Sequence, residues 1–248
     1  TQFTEMNYKR IIPRINIKGE NVVKTINLEG LKVLGDPNDF SLNYFNEGAD
    51  EIIFMDVVAT LYNRNNLHDI IKKISNNIFI PFTVGGGIRS IDDAKILFEN
   101  GADKVAINTA AIMNPNLITN FIEIFGAQNL VLSIEAKRIN KNKWVCFTHT
   151  GREKTNIDVI EWIKKTVNLG VGEILLTSID NEGLSDGFDI DLVKSAGKIC
   201  KVPLIFGGGL GKLSDIEPVI DYVDGLSISG SFHYKKIKIN ELRNKVLN

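Results

Sequence analysis

Cysteine is scarce here, long apolar runs are missing, and neither sign of charge is in excess. Two cysteines, Cys146 and Cys200, are too few for a disulfide framework and sit at no metal-binding spacing, so each reads as a buried apolar thiol. Lysine plus arginine (29) nearly balance aspartate plus glutamate (30), and no stretch concentrates basic residues with interleaved aromatics. A nucleic-acid surface is therefore not expected. No apolar run approaches the ~18 residues of a membrane span, and no leader-type segment opens the chain, which together point to the cytoplasm and away from the membrane. Apolar residues at 44% and charged residues at 24% supply a core and give no sign of disorder. Nothing in the sequence calls for a metal or a cofactor.

What the chain does have is a copy of itself. Pro81-Phe-Thr-Val-Gly-Gly-Gly-Ile88 returns as Pro203-Leu-Ile-Phe-Gly-Gly-Gly-Leu210, an offset of 122 residues. Asp50-Glu-Ile-Ile-Phe-Met-Asp56 matches Gly172-Glu-Ile-Leu-Leu-Thr-Ser178 at the same offset, and Ala106-Ile-Asn108 matches Ser227-Ile-Ser229 at 121. Self-similarity at a fixed period of half the length marks two homologous halves. Either half alone would leave a sheet with two open edges, so residues 1–248 are expected to form one domain.

Short β-branched runs alternate with amphipathic ones. Strands are expected near Ile11–Ile17, Ile52–Val57, Ile80–Val84, Lys104–Asn108, Leu130–Glu135, Glu173–Ser178, Leu204–Gly207 and Gly225–Ser229. Between them, Ile91, Ala94, Leu97 and Phe98 share one helical face that stops at Asn100-Gly101, and Pro37 and Pro115 suit first helical turns. Eight such units predict an α/β fold, a (β/α)8 TIM barrel built from two homologous half-barrels, with chemistry at the carboxyl ends of the strands. Thr1 to Tyr8 lacks periodicity. Two connections exceed what a barrel needs: Lys18 to Gly35, and Ile139 to Asn156, where Trp144 to Thr148 alternates like a small hairpin. Each reads as a lid, a contact surface or a plain surface insertion.

Gly85-Gly86-Gly87 and Gly207-Gly208-Gly209 follow strands three and seven. Glycine makes tight turns for many reasons, but a bare backbone also admits a phosphate oxygen, and duplication at equivalent positions suits a ligand with two phosphate-like ends. Asn108-Thr109 and Ser229-Gly230, after strands four and eight, would add side-chain donors. The charged residues Arg10, Glu51, Lys104 and Glu173 each begin a strand, where alternate side chains face the axis, and on position alone they read as a salt-bridged plug.

From about Lys9 to Leu247 the chain resembles the cyclase subunit of imidazole glycerol phosphate synthase, the HisF type. The resemblance lies in Lys9-Arg-Ile-Ile-Pro13, Phe82-Thr-Val-Gly-Gly-Gly-Ile88, Gly101 to Ala111, Ile134-Glu-Ala-Lys-Arg138 and Gly172 to Asp180. It implies a barrel that docks a HisH-type glutaminase on its amino-terminal face, with ammonia passing up the axis to a phosphorylated, bisphosphate-like substrate. It makes Arg10, Glu51, Lys104 and Glu173 the ammonia gate. Gly87, Asn108 and Thr109 become one phosphate cradle, and Gly183, Gly209, Ser229 and Gly230 the other, with Lys24, Thr177 and Glu182 beside the substrate. The catalytic positions are Asn16 and Glu135, and both depart from the family, which carries aspartate at each; Glu182 is likewise a lengthened acid. An amide cannot transfer protons near neutral pH, so Asn16 can only orient a substrate, and an aspartate there is expected to restore activity. A kept gate with an altered acid-base pair suggests a changed acceptor: amidination of a sugar destined for surface polysaccharide. The alternatives are the histidine-pathway cyclase itself and a non-catalytic ammonia-conducting scaffold.

Overall fold

The computed structural model describes residues 8–59 and 67–247. Thr1 to Asn7 lie outside the described residues, and with them most of the aperiodic start. Twelve strands occur among those described: β1 (Arg10–Lys18), β2 (Asn21–Ile26), β3 (Glu29–Gly35), β4 (Ile52–Asp56), β5 (Phe82–Gly85), β6 (Lys104–Ile107), β7 (Leu130–Asn140), β8 (Lys143–Thr148), β9 (Glu153–Asp158), β10 (Glu173–Ser178), β11 (Leu204–Gly207) and β12 (Gly225–Ile228). Eight of them, β1, β4, β5, β6, β7, β10, β11 and β12, pair in parallel, and the β7–β10 pairing closes the ring as a TIM barrel. Helices on the outside include α1 (Pro37–Asn46), α2 (Leu67–Ser75), α3 (Ile91–Glu99), α4 (Thr109–Met113), α5 (Asn116–Phe125), α6 (Val159–Asn168), α7 (Ile190–Gly197), α8 (Gly230–His233) and α9 (Ile239–Leu247). None of the described helices is long and apolar enough to cross a membrane.

Strand period sorts the core into two shells. Along β1, Ile11, Ile15 and Ile17 join the shell between sheet and helices, while Ile12 faces the axis with Ile53, Met55, Ala106, Val131, Leu175 and Ile205. Arg10, Arg14 and Asn16 share the inner face with Ile12. The axis is thus charged at its beginning, apolar in the middle and polar at its carboxyl end.

Backbone geometry repeats with the sequence. Gly86 and Gly208 hold φ of +96° and +98°, and a Cβ on either would strike a main-chain oxygen, of Asp56 at 2.2 Å and of Ser178 at 2.7 Å. Asp56 and Ser178 are themselves repeat partners, so one close approach is built twice. Asn108 (φ −131°, ψ −82°) and Ser229 (φ −116°, ψ −88°) also match, each preceding a short helix.

Both long connections are hairpins. The second was expected: β8 and β9 continue antiparallel from β7, which runs to Asn140 rather than ending at Glu135. Trp144 anchors it, buried, with Nε1 donating to Asp189 at 2.8 Å. The first hairpin, β2 and β3, has no strong turn signal, because its turn places Asn27 and Leu28 at φ of +50° and +68°. Leucine resists that conformation. It is held because the Leu28 side chain is fully buried against Val145, Phe147 and Ile179. Pro115 caps α5 one position before its first turn, since Asn114, as the residue before proline, stays extended.

Candidate functional site

At the amino end of the barrel, four side chains close a ring. Arg10 meets Glu51 and Glu173 at 2.6 Å each, and Lys104 meets the same two carboxylates at 3.1 Å each. Every member has two partners of opposite sign, so the ring is neutral and each charge is compensated despite partial burial. It lies at the beginning of the axis and is built from side chains alone.

The other end carries a buried polar chain. Arg14 Nη1 donates to Thr177 Oγ1 at 3.0 Å and Nε to Asn16 Oδ1 at 2.9 Å. Asn16 Nδ2 donates to Thr25 Oγ1 at 2.8 Å, and Thr25 donates to Glu182 Oε1 at 2.5 Å. Glu182 Oε2 accepts from the Leu28 amide at 2.9 Å, so the tip of the first hairpin is tied to the loop after β10. Burial lowers the pKa of Arg14, and the carboxylates of Glu182 and Glu135 act against that shift.

Glu135 stands apart from this chain. Its Oε2 accepts from the Gly151 amide of the second hairpin at 2.8 Å. Burial pushes its pKa up to about 7, opposed by Arg14, the Gly151 amide and Arg152. A carboxyl poised near neutrality, lining a cavity, is equipped to take and return a proton.

Two cavities flank this centre. One, of about 400 Å³, is lined by Gly87, Asn108, Thr109, Ser133 and Glu135 among others. The second is lined by Arg14, Thr177, Glu182, Gly183, Gly209, Ser227, Ser229 and Gly230 among others. A buried polar atom without a partner among the described residues belongs to the lining of each: Asn108 Oδ1 in the first, Ser227 Oγ in the second. Such atoms are costly unless something binds them. The glycines have a reason independent of any ligand, since a Cβ on Gly183 would meet the Thr25 carbonyl oxygen at 2.3 Å.

The expected site residues are thus brought together, with two differences. Asn16 is fully buried, its amide consumed by Arg14 and Thr25, and it lines neither cavity. Lys24 also lines neither; its ammonium lies 5.2 Å from the centre of the Tyr234 ring. Arg14, Thr25 and Gly151 were not anticipated. Arg14 had a signal, being the third of four alternate residues on β1 that face the axis; Thr25 and Gly151 reach the centre only through the folding of the hairpins.

A family model described as "Histidine biosynthesis protein" matches residues 10–238. The imidazole glycerol phosphate synthase subunit HisF of Legionella pneumophila is 53% identical over 212 residues, covering 86% of this chain and 100% of that protein. Its namesake in Sulfurisphaera tokodaii is 45% identical over 242 residues, 98% of this chain and 97% of that one. The namesake in Streptococcus mutans is 40% identical over 237 residues, 95% and 94% respectively. With the barrel, its internal repeat and matches spanning nearly the whole length, the chain belongs to the HisF family of imidazole glycerol phosphate synthase subunits.

Proposed function

We propose that this chain is the ammonia-using cyclase subunit of an imidazole glycerol phosphate synthase, acting in histidine biosynthesis. A HisH-type glutaminase docks over the ring of Arg10, Glu51, Lys104 and Glu173, which serves as the ammonia gate. Ammonia then follows the apolar axis to a phosphorylated substrate whose two ends rest in the two cavities. The observation that carries this reading is the alignment of a neutral, closed charge ring at one end of the axis with Glu135, poised near neutrality in the lining of the first cavity, at the other.

Glu135 is the acid-base group of this scheme. Attack of ammonia on an electrophilic carbon leaves a proton on nitrogen that must depart, and loss of oxygen as water requires a proton on oxygen. A single carboxyl titrating near pH 7 does both in turn. Asn16 acts as a positioning residue, holding Arg14 in line.

A second reading, a different ammonia acceptor such as a surface-polysaccharide sugar, rests on the altered acids, Asn16, Glu135 and Glu182, beside a retained charge ring. The names of the relatives do not support it. The gate is tested by Lys104→Glu in the complex reconstituted with the glutaminase. Glutamine-dependent turnover is expected to fall about tenfold or more while free-ammonia-dependent turnover stays within a few-fold, because only channelled ammonia crosses the ring. Equal loss in both assays would reduce the ring to a structural plug.

A further inference from the structure

Ser229, at the lip of the second cavity, is followed four residues later by a histidine that the proposed chemistry does not use. His233 ends α8 and packs against α1, with its ring stacked on Tyr44 (centroids 5.9 Å, planes 27° apart) and edge-on to Phe40 at 5.2 Å. Tyr44 Oη is hydrogen-bonded to Nδ1, and Nε2 lies 3.1 Å from Ser229 Oγ. Glu47, Lys235 and Lys238 line the small cavity that this pair helps to form.

The donors in this chain can be assigned. Burial raises the pKa of the Tyr44 phenol, so it keeps its proton and is able to donate to Nδ1, the direction taken here. Burial drives the His233 pKa down to about 4, so the imidazole is neutral and holds a single N–H. With Nδ1 accepting, that hydrogen is on Nε2, 3.1 Å from Ser229 Oγ. Ser229 Oγ therefore accepts from Nε2, which leaves its own hydrogen to donate. The first cavity reaches the same result differently: Thr109 Oγ1 accepts from the His149 amide at 3.0 Å, which also leaves its hydroxyl hydrogen free.

We propose that Tyr44 and His233 form a fixed relay that turns the Ser229 hydroxyl into a dedicated donor toward a phosphate group in the second cavity. Tyr44 and His233 are thereby positioning residues, two steps removed from the ligand. This rests on the reading of that cavity as a phosphate cradle.

The test is titration with inorganic phosphate, with crystals grown at graded phosphate concentrations to assign each site. Ser229→Ala is expected to weaken the second site by about three- to tenfold and leave the first unchanged. Tyr44→Phe removes the donor to Nδ1, frees the tautomer to invert, and should give a similar loss. Tyr44→Phe combined with Ser229→Ala should be no weaker than Ser229→Ala alone, since both act on one hydrogen bond. His233→Gln, which keeps a donor near the Nε2 position, should retain more affinity than His233→Leu, and thermal melts run alongside show that each variant folds. Phosphate bound at the second site but indifferent to Ser229→Ala and Tyr44→Phe, or additive losses in the double variant, would overturn the relay alone. No phosphate at that site in the unmodified chain would overturn the cradle and the relay together.

Discussion

Burial gives Glu135 its chemistry and makes it a liability to the fold. Its pKa rises from an ordinary 4.5 to about 7, so the folded chain holds this proton more tightly than the unfolded one. That contribution to stability is complete below about pH 4.5 and is lost as pH rises through about 7. Glu135→Gln has nothing to lose over the same interval. Relative to the unmodified chain, its stability in urea should improve between those pH values, by on the order of 3 kcal/mol, and then level off. In the same variant turnover should drop by roughly 10²- to 10⁴-fold, and the rate inflection near pH 7 should vanish. Asn16→Asp, in contrast, is now expected to change turnover by less than about tenfold. The new carboxylate would face Arg14 Nε across 2.9 Å and stay ionised, so the simple rescue suggested by residue identity does not survive the geometry. Steady-state kinetics of the two variants side by side settle the contrast. The four ring residues were legible as charges at strand beginnings, and Glu135 through the family resemblance, which marks it as a catalytic position. Arg14 carried the same alternation signal on β1, two residues before Asn16, but no repeat partner or family motif singled it out.

The two hairpins differ in how they announce themselves. Trp144 to Thr148 alternates cleanly and was readable, whereas the turn at Asn27-Leu28 runs against local preference and is imposed by burial of Leu28 among residues from β8 and the loop after β10. All eight barrel strands were readable to within a few residues, since their apolar runs are bounded by turn residues. Hairpin contacts with the centre depend on distant partners that no local pattern encodes. Glu182 holds the first hairpin through Thr25 and the Leu28 amide. Removing it strands a buried N–H, which costs about 1–3 kcal/mol. Glu182→Ala should therefore speed hydrogen exchange at the Leu28 amide by roughly ten- to a hundredfold, with barrel strands unaffected. Unchanged protection would mean that Leu28 packing and the Asn27 hydrogen bonds to the Ile179 and Glu182 carbonyls hold the tip without this carboxylate.

Over the whole molecule, duplication made two similar halves, and function needs what differs between them. The glycine turns and the conformations of Asn108 and Ser229 repeat, so two cavities face one centre. The carboxylate does not repeat: Glu135 has one, and its counterpart on β1 is Asn16, tied to Arg14. In the proposed scheme one half thus supplies the acid-base group and the other a fixed cation. The most direct measurement is turnover of the histidine-pathway bisphosphate intermediate by the purified chain, with free ammonia and no glutaminase. Turnover at an ordinary enzyme rate, roughly 1 s⁻¹ or faster and abolished by Glu135→Gln, is expected. Turnover no higher than that of the Glu135→Gln variant, in a chain that still binds phosphate at both cavities, would contradict the cyclase reading and turn the search to another ammonia acceptor.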